Sequence, residues 1–124
     1  KRGVAGLVTD GVMRDSDGVK ATGMPIWCAG TAAPAAIHAM AFVGWQEPIG
    51  CGGTAVFPGD IIVADADGAV VVPQDIVEDV AAAAVAQEKL EAWIVGEVEK
   101  GCALPGLYPP NEETLARYHA ETGK

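Results

Sequence analysis

An α/β fold is predicted by three observations. A short apolar run at residues 4–9 is followed by a polar segment of helical length and a second apolar run at 26–29, the order of a β–α–β unit. Between residues 54 and 72, three runs rich in Val, Ile and Ala alternate with tight turn sequences. A long stretch with helical spacing of its apolar residues then follows. Together these predict a mixed sheet with an antiparallel meander and a long C-terminal helix, in one domain spanning residues 1–124.

Each element has a local cause. Residues 4–9 are almost wholly apolar, as in a strand buried on both faces. Residues 15–22 carry early acidic residues and then Val19 and Ala21, which predicts a short helix closed by Gly23. The strand at 26–29 then pairs parallel with the first through a right-handed crossover. Residues 30–36 read as a small-residue loop and 41–46 as another strand, with Gly50-Cys51-Gly52-Gly53 as punctuation. Pro58-Gly59 and Asp65-Ala66-Asp67-Gly68 join the strands 54–57, 61–64 and 69–72 into the meander.

Pro73 stops the last strand, and Asp75 with Glu78 forms an acidic version of a capping box. Ile76, Val80, Ala83, Leu90, Ile94 and Val98 share one face of a helix of about 25 residues, roughly 38 Å long. Lys100 and Gly101 end it. Asn111 caps a last helix that runs through Tyr118. At the other end, Lys1-Arg2-Gly3-Val4-Ala5 reads as the end of a helix running into a strand, so sequence upstream of Lys1 is expected.

Composition narrows the function. Half of the 124 residues are hydrophobic and 20% are charged, so the chain can build a core and is not of the disordered class. A net charge of −9 excludes binding to nucleic-acid phosphates or anionic membranes through a basic surface. A small anionic substrate remains open to it, because one arginine or one metal ion reverses the field locally. Cys28, Cys51 and Cys102 are odd in number and lack metal-ligand spacing, so they read as small reduced thiols. With no apolar run of membrane-spanning length and no signal-peptide pattern in these residues, a cytoplasmic protein is expected.

The stretch Leu7-Val8-Thr9-Asp10-Gly11-Val12-Met13-Arg14-Asp15 carries the chemistry. Spacing alone leaves two readings of Arg14-Asp15. One is an exposed turn with Asp15 as a helix cap. The other is a site: Asp15 holding a hard divalent cation among waters, and Arg14 gripping a carboxylate or a developing oxyanion. Asp10 reads as a turn residue bonded to nearby amides, or as a carboxylate that steadies the waters of such a cation. Asp60, Asp65 and Asp67 are explained by their turns and lack the spacing of a calcium loop. Gly50-Cys51-Gly52-Gly53 precedes a strand and so lacks the context of a phosphate loop. His38 and His119 stand alone. Glu91 lies near the edge of the long helix's apolar stripe and Glu88 further round, on a face that is either solvated or turned toward a neighbouring subunit.

Four segments carry a resemblance. They are Gly-Val-Ala-Gly-Leu-Val-Thr-Asp-Gly-Val-Met-Arg-Asp at 3–15 and Gly-Met-Pro-Ile-Trp-Cys-Ala-Gly at 23–30. They continue with Pro-Gly-Asp-Ile-Ile-Val-Ala-Asp-Ala-Asp-Gly-Ala-Val-Val-Val-Pro at 58–73 and Tyr-Pro-Pro-Asn-Glu-Glu-Thr-Leu-Ala-Arg-Tyr at 108–118. In this order they resemble the family of the regulator of ribonuclease activity A, which includes the 4-hydroxy-4-methyl-2-oxoglutarate aldolases. The resemblance implies a layered α/β/β/α sandwich that forms trimers or hexamers, with active sites between subunits. It implies metal-dependent class II pyruvate aldolase chemistry on small 2-oxo acids, with Mg2+ or Mn2+ as cofactor and oxaloacetate decarboxylation as a side activity. Carried onto this sequence, Arg14 is the catalytic and substrate-binding residue, and Asp15 holds the metal. Glu91, or else Glu88, reaches the metal's waters from an adjacent subunit. The family's glycine-rich substrate loop would fall before Lys1. Some members of the family instead bind and inhibit ribonuclease E, and the acidic charge suits a partner with basic regions.

Overall fold

The computed structural model describes residues 3–38 and 40–123. The chain divides into two compact units, one ending at Val77 and one beginning at Glu78. The mixed α/β class expected from the sequence is what the structure shows, with small sheets and a long helix. The helix end expected at Lys1 and Arg2 lies outside the described residues.

The first unit opens with β1 (Leu7–Val8), β2 (Val12–Met13), α1 (Ser16–Lys20), β3 (Ile26–Trp27) and β4 (Gly30–Thr31). β1 pairs parallel with β3, Leu7 opposite Ile26, and β2 pairs parallel with β4, Met13 opposite Thr31. The parallel β–α–β reading is therefore correct, but the first strand is shorter than residues 4–9. Its ladder breaks where the Thr9 hydroxyl accepts from the Gly11 amide at 3.0 Å, and it resumes one step later as β2. The backbone amides of Thr9, Ala29 and Ala32 bond to Trp27, Gly11 and Met13 across this step, so the two pairs run on from one another. The segment 30–36 is not all loop, because β4 occupies its start. α1 is followed by Gly23 at φ +71°, the left-handed position that glycine fills without strain.

The rest of this unit differs from a three-stranded meander. β5 (Ile49–Cys51) and β6 (Thr54–Val56) form one antiparallel hairpin, and β7 (Ile61–Ala64) and β8 (Ala69–Val72) form another. The first hairpin turns on Gly52-Gly53, both at positive φ, as a two-residue hairpin loop of the primed kind requires. The second turns on Asp65, whose Oδ1 accepts from the Asp67 and Gly68 amides at 2.8 and 3.2 Å. Pro58-Gly59 makes its turn, closed by the Asp60 carboxylate on the Phe57 amide at 2.8 Å, but β6 and β7 do not pair. The strand expected at 41–46 does not form. Phe42, Val43 and Trp45 are 86%, 97% and 76% exposed, and among the described residues no strand lies beside them to complete a ladder.

The second unit is built from α2 (Val77–Glu99) and α3 (Glu112–Thr122). A 3-10 turn, Gln74–Ile76, leads into α2, and neither Asp75 nor Glu78 makes the expected side-chain capping bond. Gly101 at φ +94° ends α2 as its sequence predicts. Asn111 does cap α3, its side-chain oxygen accepting from the Thr114 amide at 2.9 Å, and the helix continues past Tyr118 to Thr122. The apolar stripe of α2 is covered around Leu90 and Ile94 and open toward both ends. Ile94 is buried with Leu107 and Tyr118, whereas Val80 and Val98 remain exposed. Trp93 packs edge-on against Tyr118 at 5.6 Å and lies under the Arg117 guanidinium at 5.3 Å. Among the described residues, no helix is long and apolar enough to cross a membrane.

Candidate active site

β2 and β4 run parallel, so their carboxyl ends open on the same side. Such ends are the usual place for a ligand in an open α/β sheet, because side chains there leave the ladder while their backbone stays fixed. Arg14 and Asp15 leave β2 at this point. Asp15 adopts the left-handed conformation, φ 57° and ψ 39°, which aspartate tolerates better than most residues. Its Oδ2 lies 3.1 Å from Arg14 Nε. The two side chains are 48% and 70% exposed, so solvent weakens the pairing and both groups remain accessible to a ligand.

A cavity of about 480 Å3 lies at these strand ends, lined by residues 13–16 and 31–33. Arg14 and Asp15 are the charged residues on its wall, and Ser16 and Thr31 supply its hydroxyls. A larger groove of about 1270 Å3 in the same unit is lined mainly by apolar residues such as Val8, Trp27, Ile49 and Ile62. It contains neither Arg14 nor Asp15, and its titratable residues are Asp10, Cys28, Cys51 and Asp67.

The other sequence-predicted residues fall elsewhere. Asp10 does not bond to nearby amides. Its Oδ2 accepts from the amide of Gly52, 42 residues away, at 3.0 Å, while Thr9 takes the neighbouring amide of Gly11. Glu91 accepts from the Gln87 amide group at 2.7 Å within α2, and Glu88 is exposed on the same helix. Both belong to the second compact unit. Cys28, Cys51 and Cys102 are free and half-buried. Thr31 of β4 also lines the cavity. Its signal in the sequence is its place just after the apolar run 26–29, at the end of the second parallel strand of a β–α–β unit.

No group of three or more His, Cys, Asp or Glu side chains among the described residues is placed to hold a metal. The donor set at the cavity is one exposed carboxylate, Asp15. It fits Mg2+ or Mn2+ held by one protein oxygen and several waters, and it does not fit a protein cage for zinc or calcium.

An α/β protein with an arginine–aspartate pair at the ends of parallel strands is the class that fold and site define. The particular family follows from comparison. The RraA-like model, Aldolase/RraA, matches residues 1–71, more than half of the chain, and the protein belongs to that family. It is 45% identical over 78 residues to a Halalkalibacterium halodurans protein named "Putative 4-hydroxy-4-methyl-2-oxoglutarate aldolase", covering 63% of this chain and 37% of that one. It is 28% identical over 104 residues to Protein DlpA of Legionella pneumophila, covering 84% of this chain and 17% of that protein. The crystal structure of an uncharacterized protein from Pseudomonas syringae shares the fold, with a TM-score of 0.78 and 33% identity over 86% of this chain and 53% of that chain. The chain thus spans little more than a third of the aldolase-named relative and about half of the solved structure.

Proposed function

We propose that the protein is a class II pyruvate aldolase dependent on Mg2+ or Mn2+. Its substrates are 4-hydroxy-2-oxo acids such as 4-hydroxy-4-methyl-2-oxoglutarate, and it decarboxylates oxaloacetate as a side activity. The observation that carries this reading is the Arg14–Asp15 pair in the cavity at the ends of β2 and β4. Membership of the family and the name of the 45% identical relative support it at the level of aldolase chemistry.

As the C3–C4 bond of such an acid breaks, the C4 hydroxyl gives its proton to a water and becomes the carbonyl of one product, the bond's electrons are left on a pyruvate enolate, and that enolate takes a proton at C3 to give pyruvate. The Arg14 guanidinium carries fixed donors and permanent charge, so it stabilises negative charge that develops on the substrate's carboxylate and oxo oxygens. Asp15 is the carboxylate that would hold the cation, which supplies Lewis-acid withdrawal of electrons from the 2-oxo group. Arg14 meets Asp15 through Nε alone in a solvent-exposed contact, so its remaining guanidinium donors would be open to a substrate carboxylate. Oxaloacetate passes through the same enolate on losing CO2, which explains the side activity.

In this reading the protein works in the cytoplasm as a homotrimer or hexamer. Glu91, or else Glu88, approaches the cation's waters from a neighbouring copy. The test is pyruvate release by the intact protein from oxaloacetate and a 4-hydroxy-2-oxo acid, with and without EDTA. EDTA-sensitive release is expected. Its absence, together with capture of ribonuclease E that survives Arg14→Ala, would replace the aldolase by a regulator of that nuclease.

A further inference from the structure

The hydroxyls of Thr9, Thr22, Thr114 and Thr122 are all committed to backbone groups, as donors or acceptors, at 2.7–3.2 Å. Thr31 differs. It is exposed at the end of β4, it lines the cavity that holds Arg14 and Asp15, and its hydroxyl makes no hydrogen bond to any described residue. Its backbone is nonetheless held in place. Thr31 sits in register with Met13, the residue before Arg14, and the next amide, of Ala32, bonds to the Met13 carbonyl at 2.9 Å. A hydroxyl without a partner is thus presented from a fixed strand, one step from the charged pair.

We propose that Thr31 is the specificity-determining residue that recognises the 4-hydroxyl group of the substrate. The inference rests on the aldolase reading above. In that reading Arg14 and the cation on Asp15 take the 2-oxo acid end, which leaves the neutral hydroxyls of Ser16 and Thr31 for the rest of the substrate. Ser16 adjoins Asp15 in the chain and lies on the same wall. Thr31 comes from the neighbouring strand and lines the same cavity, so its hydroxyl is carried by an element other than the one that bears the cation's carboxylate. A threonine hydroxyl both donates and accepts, so it can pair with a substrate hydroxyl in either sense. A site built to hydrogen-bond a hydroxyl discriminates against analogues that lack one.

The experiment compares wild type, Thr31→Val and Thr31→Ser in the intact protein with Mg2+. The substrates are 4-hydroxy-4-methyl-2-oxoglutarate and oxaloacetate, which has no 4-hydroxyl. Valine keeps the shape of threonine without its hydroxyl, and serine keeps the hydroxyl. Thr31→Val is expected to raise KM for the hydroxy acid about tenfold, the loss of one hydrogen bond, while KM for oxaloacetate changes less than about twofold. Thr31→Ser is expected to restore the hydroxy-acid KM. An unchanged KM in Thr31→Val, or an equal rise on both substrates, overturns the assignment while the aldolase reading stands. A wild type inactive on both substrates overturns that reading and this inference with it.

Discussion

The Asp10 carboxylate accepts a hydrogen bond from the Gly52 amide at 3.0 Å, tying the step between β1 and β2 to the turn of the β5–β6 hairpin. The contact joins residues 42 apart in sequence within one compact unit. It gives Asp10 a scaffold role, separate from the cation proposed at Asp15.

Asp10→Ala is therefore expected to lower stability by about 1 kcal/mol, typical of an exposed hydrogen bond to a charged acceptor. Cation affinity should stay within about twofold, since the change leaves the sole carboxylate of the candidate donor set in place. Urea unfolding and Mg2+ titration calorimetry on the same samples separate the two effects. A large loss of cation affinity at unchanged stability would move Asp10 into the metal site.

Arg14 and Asp15 should fail in different ways. Asp15→Ala removes the proposed ligand, and calorimetry should show Mg2+ binding abolished. Arg14→Ala should leave cation binding within a few-fold of wild type but lower kcat/KM about a hundredfold, the usual cost of removing one donor aimed at a developing oxyanion. Arg14→Lys should recover only part of that loss, because an ammonium cannot make the two-pronged contact of a guanidinium. Equal Mg2+ affinity in wild type and Asp15→Ala would refute the metal assignment.

The second unit should unfold in acid through Glu97. This carboxylate is 5% exposed and is held by Lys100 at 2.6 Å, by Arg117 from α3, and by the Cys102 thiol at 3.6 Å. The Lys100 contact, helped by Arg117, outweighs burial and holds its pKa below the ordinary 4.5. A carboxylate depressed in the folded state adds stability that is present above its unfolded pKa. That stability is lost as pH falls through the folded value. The denaturation midpoint should therefore drop below about pH 4.5. Glu97→Gln should be less stable than wild type at pH 7 and should lose less on acidification. Parallel pH profiles of the two proteins would show that Glu97 does not carry the effect.

Much of the fold was legible from local chemistry. Gly23, Gly52-Gly53 and Gly101 mark chain reversals because glycine adopts their positive-φ conformations without the cost a side chain brings, and Asn111 caps because its side chain reaches an amide three residues on. Arg14-Asp15 was visible as a candidate for the same reason: both groups are contiguous in sequence and contact each other directly. The segment 41–46 failed because a strand needs a partner, and no local signal says whether one is present. The pairing of β5 with β6 is not legible because Gly50 and Cys51, which read as punctuation, belong to β5, and only the partner strand makes that segment extended.

The amino-acid sequence by itself determined the α/β class, the family and the adjacent charged pair, since each depends on the identity and order of nearby residues. Tertiary structure decided the rest. Parallel pairing of β2 with β4 brought Thr31, 16 residues after Asp15, to the cavity of Arg14 and Asp15. The hairpin turn at Gly52 claimed Asp10, and α3 placed Arg117 on Glu97. These partners lie far apart along the chain. Only strand register and helix packing bring them together, and neither leaves a periodic mark in a single sequence.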